Sequence, residues 1–496
     1  MKSFILLIFL FFATFQIYSQ DTINVPADYT TIQAAIDVAV NGDIVLVADG
    51  LYYENIKYRG KAITVASHFL VDGDTSHISN TIINGSQPSH IDSGSVVYFI
   101  SGEDTTSMLC GFTITEGYNG GIECENSGMK IINNNITTNS SIYGGGIFIE
   151  AESNQCNIVI EKNTINNNIA SGHHGNSGHG GGIYIDRISG TFYGRISNNF
   201  IAHNLAGPAE SGYSDGQRGL LGAGIYIRNC SPLISNNIII ENNIGGGVSI
   251  QNAQPILINN TIVNNNDYYG GGISIDENSN PILINSILWN NTTEIDLRDS
   301  SSLTISHSDI KGGLSGIIVG GGSTVYWLDG NIDAYPEFVD TANGDFHLTD
   351  NSPCIGAAID SIEIAGTWYY CPLTDFEGRP RPNPVGTMPD MGAYENGPVV
   401  GVEDKLNFPI SYKVFQNFPN PFNSSTKIQY SIQRSSKVAI KIFDILGNEI
   451  ETMVKEEKPA GTYEIIWYAE GLPSGIYFYQ LRAGDFVETK KMILLK

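Results

Sequence analysis

Between residues 120 and 291 apolar side chains come in short alternating bursts and not at helical spacing. Ile147 and Ile149, Ile183 and Ile185, and Ile225 and Ile227 each stand two apart, which places both side chains of a pair on one face of a β-strand. Each burst follows glycine: Gly121-Ile122, Gly146-Ile147, Gly182-Ile183, Gly224-Ile225, Gly247-Val248 and Gly272-Ile273. A second signature, N-x-[IL]-x-x-N, alternates with the first at Asn134 to Asn139, Asn163 to Asn168, Asn199 to Asn204, Asn237 to Asn242 and Asn260 to Asn265, with a Ser-headed copy from Ser286 to Asn291.

Successive heads of the second signature are 29, 36, 38, 23 and 26 residues apart. The shortest of these, at roughly 3.3 Å per residue, is enough for three short strands and their turns, one coil of a parallel β-solenoid. A single coil cannot bury its apolar face, so stacking must supply the core. Asn at one position of every coil would then lie about 4.8 Å from its like, each side-chain amide bonding the next. An open solenoid end is a sheet edge that needs a cover. Residues 30 to 40 offer one, a helix with Thr30 and Gln33 as its capping box and Ile32, Ala35, Ile36, Ala39 and Val40 on one face.

The pattern changes at both ends. Met1-Lys2-Ser3 followed by an apolar run to about Phe15 reads as a signal peptide over residues 1–20. No other run approaches the roughly 20 apolar residues of a membrane-spanning helix, so no transmembrane segment is expected in the mature chain. After a linker at 398–412, residues 413–496 carry short strands rich in Val, Ile, Tyr and Phe, separated by turns such as Pro459-Ala460-Gly461 and Pro473-Ser474-Gly475. That is the pattern of a small antiparallel, immunoglobulin-like β-sandwich. Charge divides the chain at the same place: residues 400–496 hold 12 basic and 11 acidic side chains, whereas the whole chain has a net charge of −25. The acidic part would be repelled by phosphate backbones, which excludes nucleic acid as an expected partner.

Two resemblances follow from particular words. Phe418-Pro419-Asn420-Pro421-Phe422-Asn423, Ile442-Phe443-Asp444-Ile445-Leu446-Gly447, Pro473-Ser474-Gly475-Ile476-Tyr477 and the terminal Lys490-Lys491-Met492-Ile493-Leu494-Leu495-Lys496 resemble the C-terminal sorting domain of type IX secretion. This implies the type IX secretion machinery as a partner and a secreted or outer-membrane cell-surface location. Val25-Pro26-Ala27-Asp28-Tyr29-Thr30-Thr31-Ile32-Gln33, Gly42-Asp43-Ile44-Val45 and Gly111-Phe112-Thr113-Ile114, continuing through the repeats to about residue 330, resemble pectin-lyase-like right-handed parallel β-helix proteins. Ser352-Pro353-Cys354-Ile355-Gly356, Asp375-Phe376-Glu377-Gly378-Arg379-Pro380-Arg381-Pro382 and Asp390-Met391-Gly392-Ala393-Tyr394-Glu395 resemble the closing segment of exported bacterial β-helix proteins. The expected architecture is therefore all-β: a capped right-handed parallel β-helix over 21–330, its closing segment over 331–397, and the sandwich. Cys354 and Cys371 are the expected disulfide.

Aligning the coils turns sequence columns into neighbours. One outward column reads Glu125, Glu150, Asp186, Arg228, Gln251, Asp276, and another reads Glu123, Phe148, Tyr184, Tyr226, Ser249, Ser274. Like charges on neighbouring strands repel, so Glu125, Glu150 and Asp186 call for compensation by Ca²⁺, which takes oxygen ligands, by Arg187 and Arg228, or by water. Two long insertions, residues 169–182 and 205–224, bring His173, His174, His179, Tyr213, Asp215 and Arg218 to the end of this strip. In the resembled enzymes acidic side chains on adjacent coils hold Ca²⁺ or serve as acid and base, and a basic one abstracts a proton beside a uronate carboxyl. This implies Glu150, Asp186 and Arg228 as catalytic residues, Phe148, Tyr184 and Tyr226 as the sugar-binding surface, and Glu125, Glu150 and Asp186 as metal ligands. The functional expectation is binding, with or without cleavage, of an extracellular polysaccharide by a lyase or glycoside hydrolase. A non-catalytic adhesin or structural repeat protein is the alternative.

Overall fold

The computed structural model describes residues 21–88, 94–151, 156–172, 178–186, 193–208, 221–267 and 270–397, and residues 412–496 apart from 416, 418, 419, 424, 433–435, 446, 459, 460, 470, 485 and 496. The signal peptide, Arg187, His173, His174, Tyr213, Asp215, Arg218 and most of the linker lie outside the described residues. The chain divides into two units, residues 1–397 and 398–496.

The first unit is a right-handed coil of three parallel sheets. One has twelve strands, from Thr22–Val25 to Thr324–Trp327, and two have ten, from Ile56–Lys57 to Ile317–Val319 and from Gly50–Tyr53 to Asp309–Ile310. Corresponding strands of successive coils pair in exact register over most of the coil, Ile147 with Ile183 and Ile183 with Ile225. The inward Ile of each coil therefore sits on the Ile below, and the alternating isoleucines form one continuous buried core. Burial at about 25 cal/mol per Å² of apolar surface is gained only between coils, which is why short strands of two to five residues suffice.

Two asparagine ladders run the length of the repeats. Asn168 Nδ2 donates to Asn204 Oδ1 at 3.0 Å, Asn204 Nδ2 to Asn242 Oδ1 at 3.0 Å, and each backbone N–H also donates to the same oxygen of the next coil. The other ladder links Asn134, Asn163, Asn199, Asn237 and Asn260 in the same way. Each ladder Asn follows a residue in the left-handed region, such as Asn198 (φ 54°) or His203 (φ 55°), so the chain turns the corner and aims the amide inward. The glycine column is the counterpart. A Cβ on Gly182 would stand 2.6 Å from the Gly224 carbonyl and 3.1 Å from Asn204 Nδ2, so the two signatures alternate because each glycine leaves room for an asparagine ladder and the next backbone.

A helix at Ile32–Val38 covers the N-terminal end and buries Ile32, Ala35 and Ile36. Its N-cap is Thr31, not Thr30: the Thr31 hydroxyl accepts from Ala34 N, and the Glu54 carboxylate takes the Ile32 and Gln33 N–H groups at 2.8 and 2.9 Å. Gln33 is thereby released from the expected capping box and bonds Asp37 and the Lys57 backbone. Lys61 Nζ satisfies the carbonyls of Ile36, Asp37 and Ala39 at the other end of the helix.

Residues 331–397 lie along the side of the coil. Phe338, Phe346, Leu348, Met391, Ala393 and Tyr394 pack on Ala202, Ile238, Ile240, Val263 and Ile287. The left-handed asparagines hold them: Asn198 Nδ2 donates to the Asp375 carbonyl, Asn236 to Thr374, and Asn259 to Asp390 and Gly392. Arg381, fully buried, donates to the carbonyls of Asp390, Gly392 and Ala393 and pairs with Glu395 at 3.2 Å. The expected disulfide is absent. Cys354 and Cys371 are free thiols with separate partners, Cys354 donating to Asp309 Oδ2 and Cys371 to Asn259 Oδ1, both at 3.2 Å. The packing of this segment rests on buried carboxylates and amides that the Cys spacing did not reveal.

The second unit is an antiparallel sandwich. A three-stranded sheet (Lys413–Val414, Ser425–Ile432, Gly461–Tyr468) faces a four-stranded one (Ser436–Phe443, Glu449–Lys458, Gly475–Ala483, Phe486–Leu494) over a core containing Trp467, Tyr479, Ile440 and Leu481.

Candidate functional site

The strip predicted from the columns exists. Glu125 pairs with Glu150 and Glu150 with Asp186 in register, and Glu123, Phe148, Tyr184 and Tyr226 fall in one file across the strands Ile122–Glu125, Ile147–Glu150, Ile183–Asp186 and Ile225–Arg228. In-register parallel strands stack like on like, so the rings pile up: Phe148 on Tyr184 at 5.4 Å, and Tyr184 on Tyr226 at 5.1 Å with planes 5° apart.

The insertions build over part of it. Ser140–Ser141, Ile169–Gly172 and Leu205–Pro208 form a small fourth sheet beside the coil, with its own core of Ala170, Ala206, Leu221 and Ala223. Tyr143 and His179 lie against Tyr184 and Tyr226, with ring centroids 5.2 and 4.9 Å apart. As a result Tyr184 is only 8% exposed and Tyr226 2%. Of the three rings expected to meet sugar, only Phe148 reaches an open recess. Tyr184 and Tyr226 are instead spent internally: Tyr184 donates to Asp186 Oδ2 at 3.0 Å and Tyr226 to Gln251 Oε1 at 2.7 Å.

The expected catalytic trio is not gathered at one open point. Asp186 is buried and also accepts from Asn229 Nδ2 at 2.9 Å. Arg228 reaches Glu277 at 3.7 Å, and Glu150 is half-buried one strand away. Nor do Glu125, Glu150 and Asp186 fit a Ca²⁺ ion: among the described residues no three His, Cys, Asp or Glu side chains stand together as metal ligands, and Asp186 has both oxygens engaged. One rung of the sheet separates each carboxylate from the next, and burial of the last breaks the file.

What the structure brings together lies one coil earlier. A recess of about 200 Å³ is lined by Asn119, Glu123, Glu125, Ser141, Ile142, Tyr143 and Phe148. Glu123 and Glu125 are two apart on one strand and so point the same way, about 6.6 Å apart along the backbone. Glu125 is exposed and Glu123 partly covered. Burial raises the Glu123 carboxyl above the usual range, with its Ser95 hydrogen bond and the Lys57 charge opposing and the Glu125 charge reinforcing the rise. Tyr143, 40% exposed, and Phe148 supply the apolar wall. Sequence reading placed Glu123 in the ring column without a role and missed Tyr143, which stands before a Gly-Gly-Gly run and outside the repeat register. A further carboxyl pair, Asp276 with Asp299, is hydrogen-bonded side chain to side chain, and burial pushes Asp276 up to about 6.

Two family models match the chain. Residues 416–495 match the secretion system C-terminal sorting domain, and residues 178–334 match the right handed beta helix region. Among solved structures, the crystal structure of pectate lyase Pel9A is 14% identical over 77% of this chain and 98% of that one, with a TM-score of 0.40. A mutant of the PL6 family alginate lyase AlyGC is 12% identical over 67% of this chain and 55% of that one, with a TM-score of 0.31. No curated protein matches. The chain is thus a right-handed β-helix protein carrying a type IX sorting domain, and that domain directs export to the cell surface or the extracellular space. No helix among the described residues is long and apolar enough to cross a membrane.

Proposed function

We propose that the exported β-helix binds a polysaccharide in the recess between Glu123, Glu125, Tyr143 and Phe148, and that the two carboxyls hydrolyse a glycosidic bond there. The supporting observation is the meeting of two aromatic side chains and two unlike carboxyls in one recess. Aromatic faces take the apolar face of a sugar ring, and glycoside hydrolysis needs one carboxyl that keeps its proton and one that does not. Glu123, raised by burial, is the proton donor to the leaving oxygen. Glu125, exposed beside it, is the acceptor that activates water or attacks the sugar carbon. Hydrolysis is favoured over uronate elimination because, among the described residues, the recess is lined by carboxylates and by no basic side chain, so a uronate carboxyl would meet repulsion there.

The test is binding and turnover on a panel of neutral and uronate-containing polysaccharides, following reducing ends and the absorbance of unsaturated products together. New reducing ends that vanish in Glu123→Gln support the reading. Unsaturated products, or turnover untouched by Glu123→Gln and Phe148→Ala, refute it.

A further inference from the structure

We propose that Cys124 and Cys156 form a disulfide in the exported protein, stapling the strand that carries the recess carboxyls to the next coil. Cys124 sits between Glu123 and Glu125 with its side chain in the core, fully buried. Cys156 stands just before the strand Asn157–Glu161 of the following coil and is equally buried. Both thiols converge on one atom. Both are free thiols in the structure, and Cys124 Sγ lies 3.2 Å and Cys156 Sγ 2.9 Å from the Ser127 carbonyl oxygen, which brings the two sulfurs to one side of the same atom.

No other pair of the six cysteines is placed in this way among the described residues. Cys354 and Cys371 point to Asp309 and Asn259, and Cys110 lies beside Asn133. Before the coils stack both thiols are open to solvent and either can open the exchange, the course starting from Cys156 being equivalent to that starting from Cys124. Outside the reducing cytoplasm such a pair is oxidised when a disulfide donor is available. Cys156 thiolate attacks one sulfur of the donor disulfide and expels the other as a thiolate. Cys124 then loses its proton and attacks the Cys156 sulfur of the mixed disulfide, expelling the second donor thiol. Two protein thiols are oxidised, one donor disulfide is reduced to two thiols, and the exchange precedes burial as the coils stack. The inference is independent of what the recess binds.

The experiment uses the full chain recovered after export, denatured without reductant in the presence of N-ethylmaleimide, digested and weighed. The expected result is a peptide pair joined through Cys124 and Cys156, lighter by two hydrogens than the separate thiols, with the other four cysteines alkylated. The same chain retained in a reducing cytoplasm should show all six alkylated. In exported Cys156→Ser, Cys124 should become alkylatable in full. Six alkylated thiols in the exported wild type, or a link through any other pair, would overturn the proposal, and neither result bears on glycan binding.

Discussion

The Ser95 hydroxyl oxygen lies 2.6 Å from Glu123 Oε2 and 3.0 Å from the Asn119 carbonyl oxygen. A hydroxyl has one proton, and it cannot serve two acceptors fully. The Ser95 hydroxyl donates to Glu123 Oε2, the shorter contact, and that bond favours the ionised carboxylate. Burial outweighs this bond and holds the Glu123 carboxyl above the usual carboxylate range, so the two act on its proton in opposite directions.

From this it follows that Glu123→Gln should keep the fold and bind glycan while losing turnover by at least about 100-fold, the usual weight of a general acid. Ser95→Ala should instead shift the alkaline limb of the pH profile, because the bond it removes favours the ionised form. The limb should move to higher pH, and an unmoved limb would separate Glu123 from the proton transfer.

Phe148→Ala and Tyr143→Ala should each weaken binding by roughly tenfold, about 1–2 kcal/mol for a lost aromatic contact. Tyr226→Phe should leave affinity unchanged, since Tyr226 is buried beneath His179. Titration calorimetry with the panel's binding member checks both.

Within the ladder, Asn204→Ala removes the acceptor for Asn168 N and Nδ2 and the donor for the Ile165 carbonyl and Asn242 Oδ1. All are buried, so the cost should be on the order of 3 kcal/mol. Asn243→Ala, exposed next door, should cost under about 0.5 kcal/mol. Gly182→Ala should be comparably damaging to Asn204→Ala. Urea unfolding of the three variants distinguishes a ladder from a decorative repeat.

Buried acids make the pH dependence run opposite to ordinary acid denaturation. Burial pushes Glu294, which ends one asparagine ladder by accepting from Asn291, and Asp309, which accepts from Cys354 and Ala334, up to about 7 each. Between the usual carboxylate range and pH 7 the unfolded chain has lost protons that the folded chain keeps, so stability falls as pH rises through that window and levels off above it. Melting at pH 5 should exceed melting at pH 8, by on the order of 2 kcal/mol for each group. Asp309→Asn should flatten the dependence, and a melting point that climbs from pH 5 to 8 would contradict it.

Much of the coil was legible because it repeats. Fixed Gly-Ile and Asn-to-Asn spacings dictate register, register dictates columns, and the columns of Glu125, Glu150 and Asp186 or Phe148, Tyr184 and Tyr226 were found where expected. Exposure was not legible. Whether Tyr184 faces water or lies under Tyr143 depends on an insertion outside the repeat, and no period in the sequence specifies where an insertion folds back. The same applies to Cys354 and Cys371, whose partners Asp309 and Asn259 are 45 and 112 residues away. The cap was read with the right face but the wrong first residue, because Glu54, just past the strand Gly50–Tyr53, takes the Ile32 and Gln33 N–H groups.

The most direct test of the central claim is to measure reducing ends released from neutral polysaccharides by the purified exported protein and by its Glu123→Gln form. The account predicts release by the first and none by the second, with both forms retaining the substrate. Equal release by both, or no retention of any glycan by either, would contradict it.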